Sequence, residues 1–160
     1  WSSDVCSSDL ELNDPDGLEG GSSRGAAGLN LLPLRTVFGG AKALRQRSSQ
    51  AHWPSADQPL QLEGFELHRG STTALEPCEP LCDAPDLGWV RGNSAGTYLH
   101  GVFESGPWRR RWLNQLRARK GLPLLSEQQP HHSRQREALL DRLADAFEQH
   151  VNLEPLLQER

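Results

Sequence analysis

The chain has 160 residues, of which 36% are apolar, a formal net charge of -4 and a mean hydropathy of -0.64. That length allows one domain or part of a larger one. The acidic balance gives no electrostatic footing for nucleic acid, and no apolar run approaches the ~20 residues that span a bilayer. Fifteen glycines and 11 prolines predict abundant turns. The three cysteines, odd in number and irregularly spaced, give no disulfide framework and imply a reducing cytoplasm. The N-terminus has neither the basic nor the apolar region of a signal peptide. Methionine is absent, so the chain is expected to be a piece of a longer protein.

Residues 1–10, Trp-Ser-Ser-Asp-Val-Cys-Ser-Ser-Asp-Leu, can be written as the codons TGG AGT TCA GAC GTG TGC TCT TCC GAT CTN. That string resembles a short-read sequencing adapter translated as coding DNA. The stretch is therefore set apart as a non-native tail, and Cys6 with it. Residues 11–28 read as a turn-rich loop, with β-turn chemistry at Asp14-Pro15-Asp16-Gly17. Gly20, Gly21, Gly25 and Gly28 do not match a dinucleotide fingerprint.

Leu29 to Phe38 partly alternates apolar and polar residues and predicts a strand, with Pro33 at an irregularity or an edge. Ala41–Ser49 and Gln58–His68 predict a strand pair around a polar loop. Within the second strand, Phe65 and Leu67 alternate with Glu66 and His68, as on a half-buried strand with the apolar pair inside. His68 is a candidate substrate contact; taken alone, a polar residue on the solvated face is the simpler reading. Cys78 and Cys82 have a Cys-x3-Cys spacing in a proline-rich loop. No second ligand pair stands at a suitable distance, so no metal site is assigned.

Thr97 to Phe103 predicts a short strand that runs into a turn. It carries His100, the best-placed general base in the sequence, since imidazole titrates near neutrality. Gly101, without a Cβ, lets another backbone or a substrate come close to the ring. Ser105 predicts a helix cap, with Pro107 in the first turn and Gly121 and Pro123 at the end. Trp108, Trp112, Leu113 and Leu116 recur at helical spacing and are expected to bury one face. Arg109, Arg110, Arg111, Arg117 and Arg119 are expected to be solvated. Residues 128–133 form a polar linker holding His131 and His132. Arg136 to Val151 predicts an amphipathic helix with a stripe of Leu139, Leu140, Leu143, Phe147 and Val151.

Three stretches carry a resemblance: Asp14-Pro15-Asp16-Gly17-Leu18-Glu19-Gly20 followed by Gly28-Leu29-Asn30-Leu31-Leu32-Pro33, then Gly64-Phe65-Glu66-Leu67-His68-Arg69-Gly70-Ser71-Thr72, then Gly96-Thr97-Tyr98-Leu99-His100-Gly101-Val102-Phe103. In order and spacing they resemble the C-terminal region of the cobyric acid synthase family, amidotransferases of cobalamin biosynthesis. The resemblance implies an α/β fold, part of a flavodoxin-like class I (triad) glutamine amidotransferase domain over residues 11–125. Residues 126–160 then supply a polar linker and a C-terminal helix.

It also implies a parent that amidates carboxylates of adenosylcobyrinic acid a,c-diamide, with glutamine as nitrogen donor and ATP and Mg²⁺ used by a separate N-terminal domain. His100 matches the family's catalytic histidine. The nucleophilic cysteine is expected on a glycine-flanked elbow at or before residues 1–10. Cys6 lacks flanking glycines and lies too close to Asp14, so it is rejected as the nucleophile, and the fragment alone is expected to be inactive. Val102 stands where many class I amidotransferases place a glutamate, which leaves the orienting partner of His100 open. Two other readings compete. One is a non-catalytic interaction module that binds through the Trp108 and Leu139 helices. The other is an amidotransferase domain serving a different acid.

Overall fold

The computed structural model describes residues 8–18 and 24–152. The chain divides into two compact units, Trp1–Val102 and Phe103–Arg160. The first holds three small sheets and the second holds two helices, so the class is α/β as the sequence implies. Among the described residues, no helix is long and apolar enough to cross a membrane.

The first sheet has the order β2-β1-β3-β6, with β1 at Glu11–Asp14, β2 at Arg24–Ala27, β3 at Leu34–Val37 and β6 at Ser71–Ala74. β1 and β3 run parallel; the other two pairings are antiparallel. The stretch read as a loop thus contains two paired strands. β2 is an edge strand whose Gly25, Ala26 and Ala27 are exposed, so it carries little of the apolar alternation that betrays a strand. The turn after β1 forms as expected: Gly17 N–H donates to the Asp14 carbonyl at 3.3 Å and Leu18 N–H to Asp14 Oδ1 at 2.8 Å.

β3 is shorter than the predicted strand. Residues 31 and 32 turn their N–H groups to the Ser8 carbonyl, at 2.9 and 3.0 Å, Asn30 has φ 53, and Pro33 has no N–H to give a ladder. Residues 8–10, set apart from the sequence reading, are tied to this sheet. Leu10 N–H donates to the Leu34 carbonyl at 3.0 Å, and Asp9 is buried with Thr36 Oγ1 on its Oδ2 at 2.6 Å. Burial pushes the Asp9 carboxyl up, against that hydrogen bond.

The second sheet has the order β10-β5-β4, with β4 at Ala43–Ala51, β5 at Leu60–His68 and β10 at Leu99–His100. The β4–β5 pair is the predicted one, in continuous register from Ala43↔His68 to Ala51↔Leu60. The third sheet is β7-β8-β9, with β7 at Glu79–Pro80, β8 at Gly88–Arg91 and β9 at Ser94–Thr97. Leu32, Leu34, Leu62, Leu81, Leu87 and Leu99 are the buried leucines of this unit's core. The predicted strand Thr97–Phe103 is broken. β9 ends at Thr97, β10 covers two residues, and Gly101 at φ 88 turns the chain into a 3-10 turn, Val102–Glu104.

In the second unit, α1 covers Gly106–Arg119 with Ser105 as its cap, Oγ accepting from Trp108 N–H at 3.4 Å. Its buried residues are Gly106, Trp108 and Asn114, whereas Leu113 and Leu116 are exposed, which corrects the expected apolar stripe. The reason is the return segment after the helix. Asn114 donates from Nδ2 to the Leu125 carbonyl at 2.7 Å and accepts from Leu125 N–H at 3.0 Å. Arg111, expected to be solvated, is largely covered and pairs with Glu127 at 2.6 Å. α2 covers His132–His150, starts four residues earlier than predicted, and leaves its whole apolar stripe exposed.

Replacing Asn114 leaves both Leu125 backbone groups without their partner. Asn114→Ala is expected to cost about 1–3 kcal/mol, read as faster amide exchange across α1 and residues 121–127. An unchanged exchange pattern there would contradict this account.

Candidate functional site

The site is built where β10 meets β5. Leu99 lies opposite Glu66 and His100 opposite Phe65. Side chains alternate across a sheet, so His100 and Phe65 share one face while Leu99 and Glu66 share the other. A Cβ at residue 64 would overlap the His100 carbonyl oxygen and come 3.0 Å from Leu99 Cδ1. Gly64 is thus what lets the two strands close up, a role the sequence reading gave to Gly101.

On its face the His100 ring lies flat on Phe65, with centroids 4.9 Å apart and planes 9° off parallel. Its Nε2 is 3.3 Å from the Leu67 carbonyl oxygen. A carbonyl only accepts, so Nε2 carries a hydrogen, and in the neutral ring Nδ1 then holds the lone pair. The ring is half-buried. Beside it the face is open: Leu44, which pairs with Leu67, is 71% exposed, and Phe65 is 38% exposed.

The opposite face carries a polar cluster that the sequence reading missed. Glu66 is 2% exposed, which inverts the predicted alternation: Leu62, Glu66 and His68 point inward and Phe65 outward. Arg45 Nε donates to Glu66 Oε2 at 2.8 Å, Arg47 Nη1 lies 3.2 Å from the same oxygen, and His68 Nε2 donates to Oε1 at 2.7 Å. Burial by itself raises the Glu66 carboxyl. The hydrogen bonds from His68 and Arg45, with the charges of Arg45 and Arg47, outweigh it and hold the group below its ordinary value.

His68 lies 3.9 Å from the Tyr98 ring, nearly parallel to it, and Tyr98 meets Trp89 edge-on. The Tyr98 hydroxyl bonds Thr72 Oγ1 and lies 3.4 Å from Thr36 Oγ1. His68 Nδ1 is buried without a partner among the described residues. The structure therefore does not bring His68 and His100 together; they occupy opposite faces of one sheet. The signal for the inward face was Gly64, which shares it and removes a side chain where β10 must pack.

Cys6 lies outside the described residues. Cys78 and Cys82 are free thiols. Burial pushes the Cys78 thiol up, with the Arg91 charge opposing and the Glu76 charge adding. Cys82 is buried with its Sγ on the Ala84 carbonyl at 3.4 Å. The Cys78 environment does not favour a thiolate. Among the described residues, no group of three or more His, Cys, Asp or Glu could hold a metal ion.

A family model described as the CobB/CobQ-like glutamine amidotransferase domain matches residues 10–108. The chain belongs to this glutamine amidotransferase family. A protein of Synechococcus sp. (strain WH7803) named cobyric acid synthase is 68% identical over 157 residues, covering 92% of this chain and 32% of its own length. A cobyric acid synthase of Synechococcus sp. (strain CC9311) is 70% identical over 159 residues, covering 92% and 31%. One of Prochlorococcus marinus (strain MIT 9313) is 49% identical over 159 residues, covering 91% and 31%. The chain thus spans about a third of the length of the curated relatives it matches. Within the amidotransferase match lie β1 to β10, both faces of the sheet and His100.

Because the folded Glu66 carboxyl titrates below its ordinary value of 4.5, it contributes stability that is present above the unfolded value. That stability is lost as pH falls through the folded value. Acidification below about pH 4.5 is therefore expected to lower the thermal midpoint. Glu66→Gln, which cannot titrate, should start lower at neutral pH, by about 1–3 kcal/mol, and fall less steeply in acid. Parallel curves for the two proteins would contradict the assignment.

Proposed function

We propose that the chain is the amidotransferase part of a cobyric acid synthase. In the parent, glutamine supplies the nitrogen, and side-chain carboxylates of adenosylcobyrinic acid a,c-diamide are amidated at the expense of ATP. The observation that carries the reading is His100. It sits within the matched amidotransferase domain, on an open sheet face, with its tautomer held so that Nδ1 is the basic nitrogen.

The chemistry follows from that nitrogen. A cysteine thiol of the parent gives its proton to the imidazole, and the thiolate attacks the glutamine carboxamide carbon. As the C–N bond breaks, the imidazolium returns a proton to the departing nitrogen, which leaves as ammonia. Water then opens the thioester to glutamate. The nucleophile belongs before residue 11 in the parent; Cys6 is not assigned that role, and the fragment alone is proposed to be inactive. ATP and Mg²⁺ are assigned to the part of the parent that this chain does not span. Among the described residues, no cluster of His, Cys, Asp or Glu fits the ion, and no step on this chain passes through it. His68, as part of the Glu66 cluster, supports the substrate side from the opposite face rather than touching the reacting atoms. The two free thiols, Cys78 and Cys82, support a reducing cytoplasm as the compartment.

The test uses a full-length protein in which residues 11–160 replace the matching part of the strain WH7803 relative. His100→Ala is expected to cut glutamine-driven amidation by about 100- to 10,000-fold, while free ammonium still supports the reaction. Unchanged glutamine use in that variant would reject the reading and favour a non-catalytic module.

A further inference from the structure

We propose that Phe65 is a positioning residue for His100, and that its ring and the Leu67 carbonyl together replace the carboxylate that commonly orients a catalytic histidine. The inference rests on His100 carrying the proton in the reaction proposed above.

Three observations converge on it. Among the described residues, no carboxylate contacts the His100 ring: its partners are the Leu67 carbonyl and the Phe65 face. The residue two places on, Val102, is apolar and buried. Glu66, the acidic residue nearest in sequence to these contacts, points to the other face and is committed to Arg45, Arg47 and His68.

The two contacts divide the work that a carboxylate does alone. A carboxylate fixes the tautomer, fixes the ring plane and stabilises the imidazolium. Here the Leu67 carbonyl fixes the tautomer by accepting from Nε2–H. Phe65 fixes the plane, because the rings lie parallel at 4.9 Å in directly opposed positions of β5 and β10. The electron-rich face of Phe65 also favours the imidazolium when His100 holds the proton. Such a contact is worth about 0.5–1 kcal/mol at an exposed site and about 2 when desolvated. That range corresponds to a loss of a few-fold to about thirtyfold in rate.

Phe65 is itself partly exposed, so its ring is not buried as a core residue would be. It keeps a large aromatic on a rim position, beside the open Leu44.

The test uses the same full-length protein, with kcat and KM for glutamine hydrolysis read separately alongside the thermal midpoint. Phe65→Leu keeps an apolar residue and removes the aromatic face. Its kcat is expected to fall about tenfold, with KM for glutamine and the midpoint nearly unchanged. Phe65→Tyr keeps the face and is expected to retain the wild-type kcat. Should Phe65→Leu fail to fold, Phe65→Met and Phe65→Trp make the same comparison.

An undiminished kcat in Phe65→Leu overturns the proposal. So does an equal loss in the leucine and tyrosine variants that tracks a lower midpoint, because that is the mark of a merely structural residue. His100→Ala separates the two readings. If that variant loses glutamine hydrolysis and Phe65→Leu does not, only the positioning role falls. If His100→Ala is silent, the catalytic reading falls and the positioning role with it.

Discussion

The close approach of β10 to β5 governs the rest of the site. β10 has only two residues, too few to hold a place in a sheet by its own ladder. It reaches β5 because residue 64 has no side chain to fill the space that the His100 carbonyl occupies. Its other anchors are backbone-directed as well. Tyr98 N–H donates to the Leu87 carbonyl at 2.8 Å, and Leu99 N–H reaches Thr97 Oγ1 at 3.0 Å. Gly101 then leaves the strand at φ 88, a conformation that costs a residue with a Cβ. The position of the imidazole is therefore written in glycines and main-chain hydrogen bonds, with Phe65 as its main side-chain support.

The inward face of the same sheet explains how the register is kept. A buried carboxylate between two arginines is not a cheap source of stability, since desolvation takes back much of the Coulombic gain. Its effect is to make alternatives worse. A one-residue slip of β5 would turn Glu66 outward and bring Phe65 in against Arg45, exchanging the two faces. The cluster thus fixes which residues face His100, although none of its charged groups bonds to that ring.

Much of this was legible in the sequence. The β4–β5 pair, the Asp14 turn, the Ser105 cap and the α1 boundaries followed from turn chemistry, glycine placement and periodicity. The failures share a cause, which is that local pattern does not reveal which partner arrives from elsewhere. The alternation points to Phe65 and Leu67 as the buried pair, because apolar residues usually are. Arg45 and Arg47, about twenty residues away, reverse that by giving Glu66 a partner inside. Leu113 and Leu116 lost the buried stripe of α1 to Asn114 in the same way, because the segment at Leu125 offers that amide both a donor and an acceptor. The type and context of His100 single it out as the candidate base. The contacts that orient it are not legible in the same way, since a main-chain carbonyl leaves no mark in a sequence.

In the reaction proposed for the parent, the nature of the nucleophile explains why an uncharged partner can serve a histidine such as His100. A serine hydroxyl is a very weak acid, so a histidine that activates it needs strong support for its cationic form, which a buried carboxylate gives. A cysteine thiol starts with a pKa near 8.5 and moves lower beside an imidazolium. A thiolate therefore needs less support from a third group than an alkoxide would. What remains to be supplied is geometry, namely one tautomer and one ring plane. The Leu67 carbonyl and the parallel Phe65 ring offer both without a second carboxylate. A glutamate at position 102 would replace a buried valine that closes the turn after β10, and so would put a charge where the fold holds an apolar side chain.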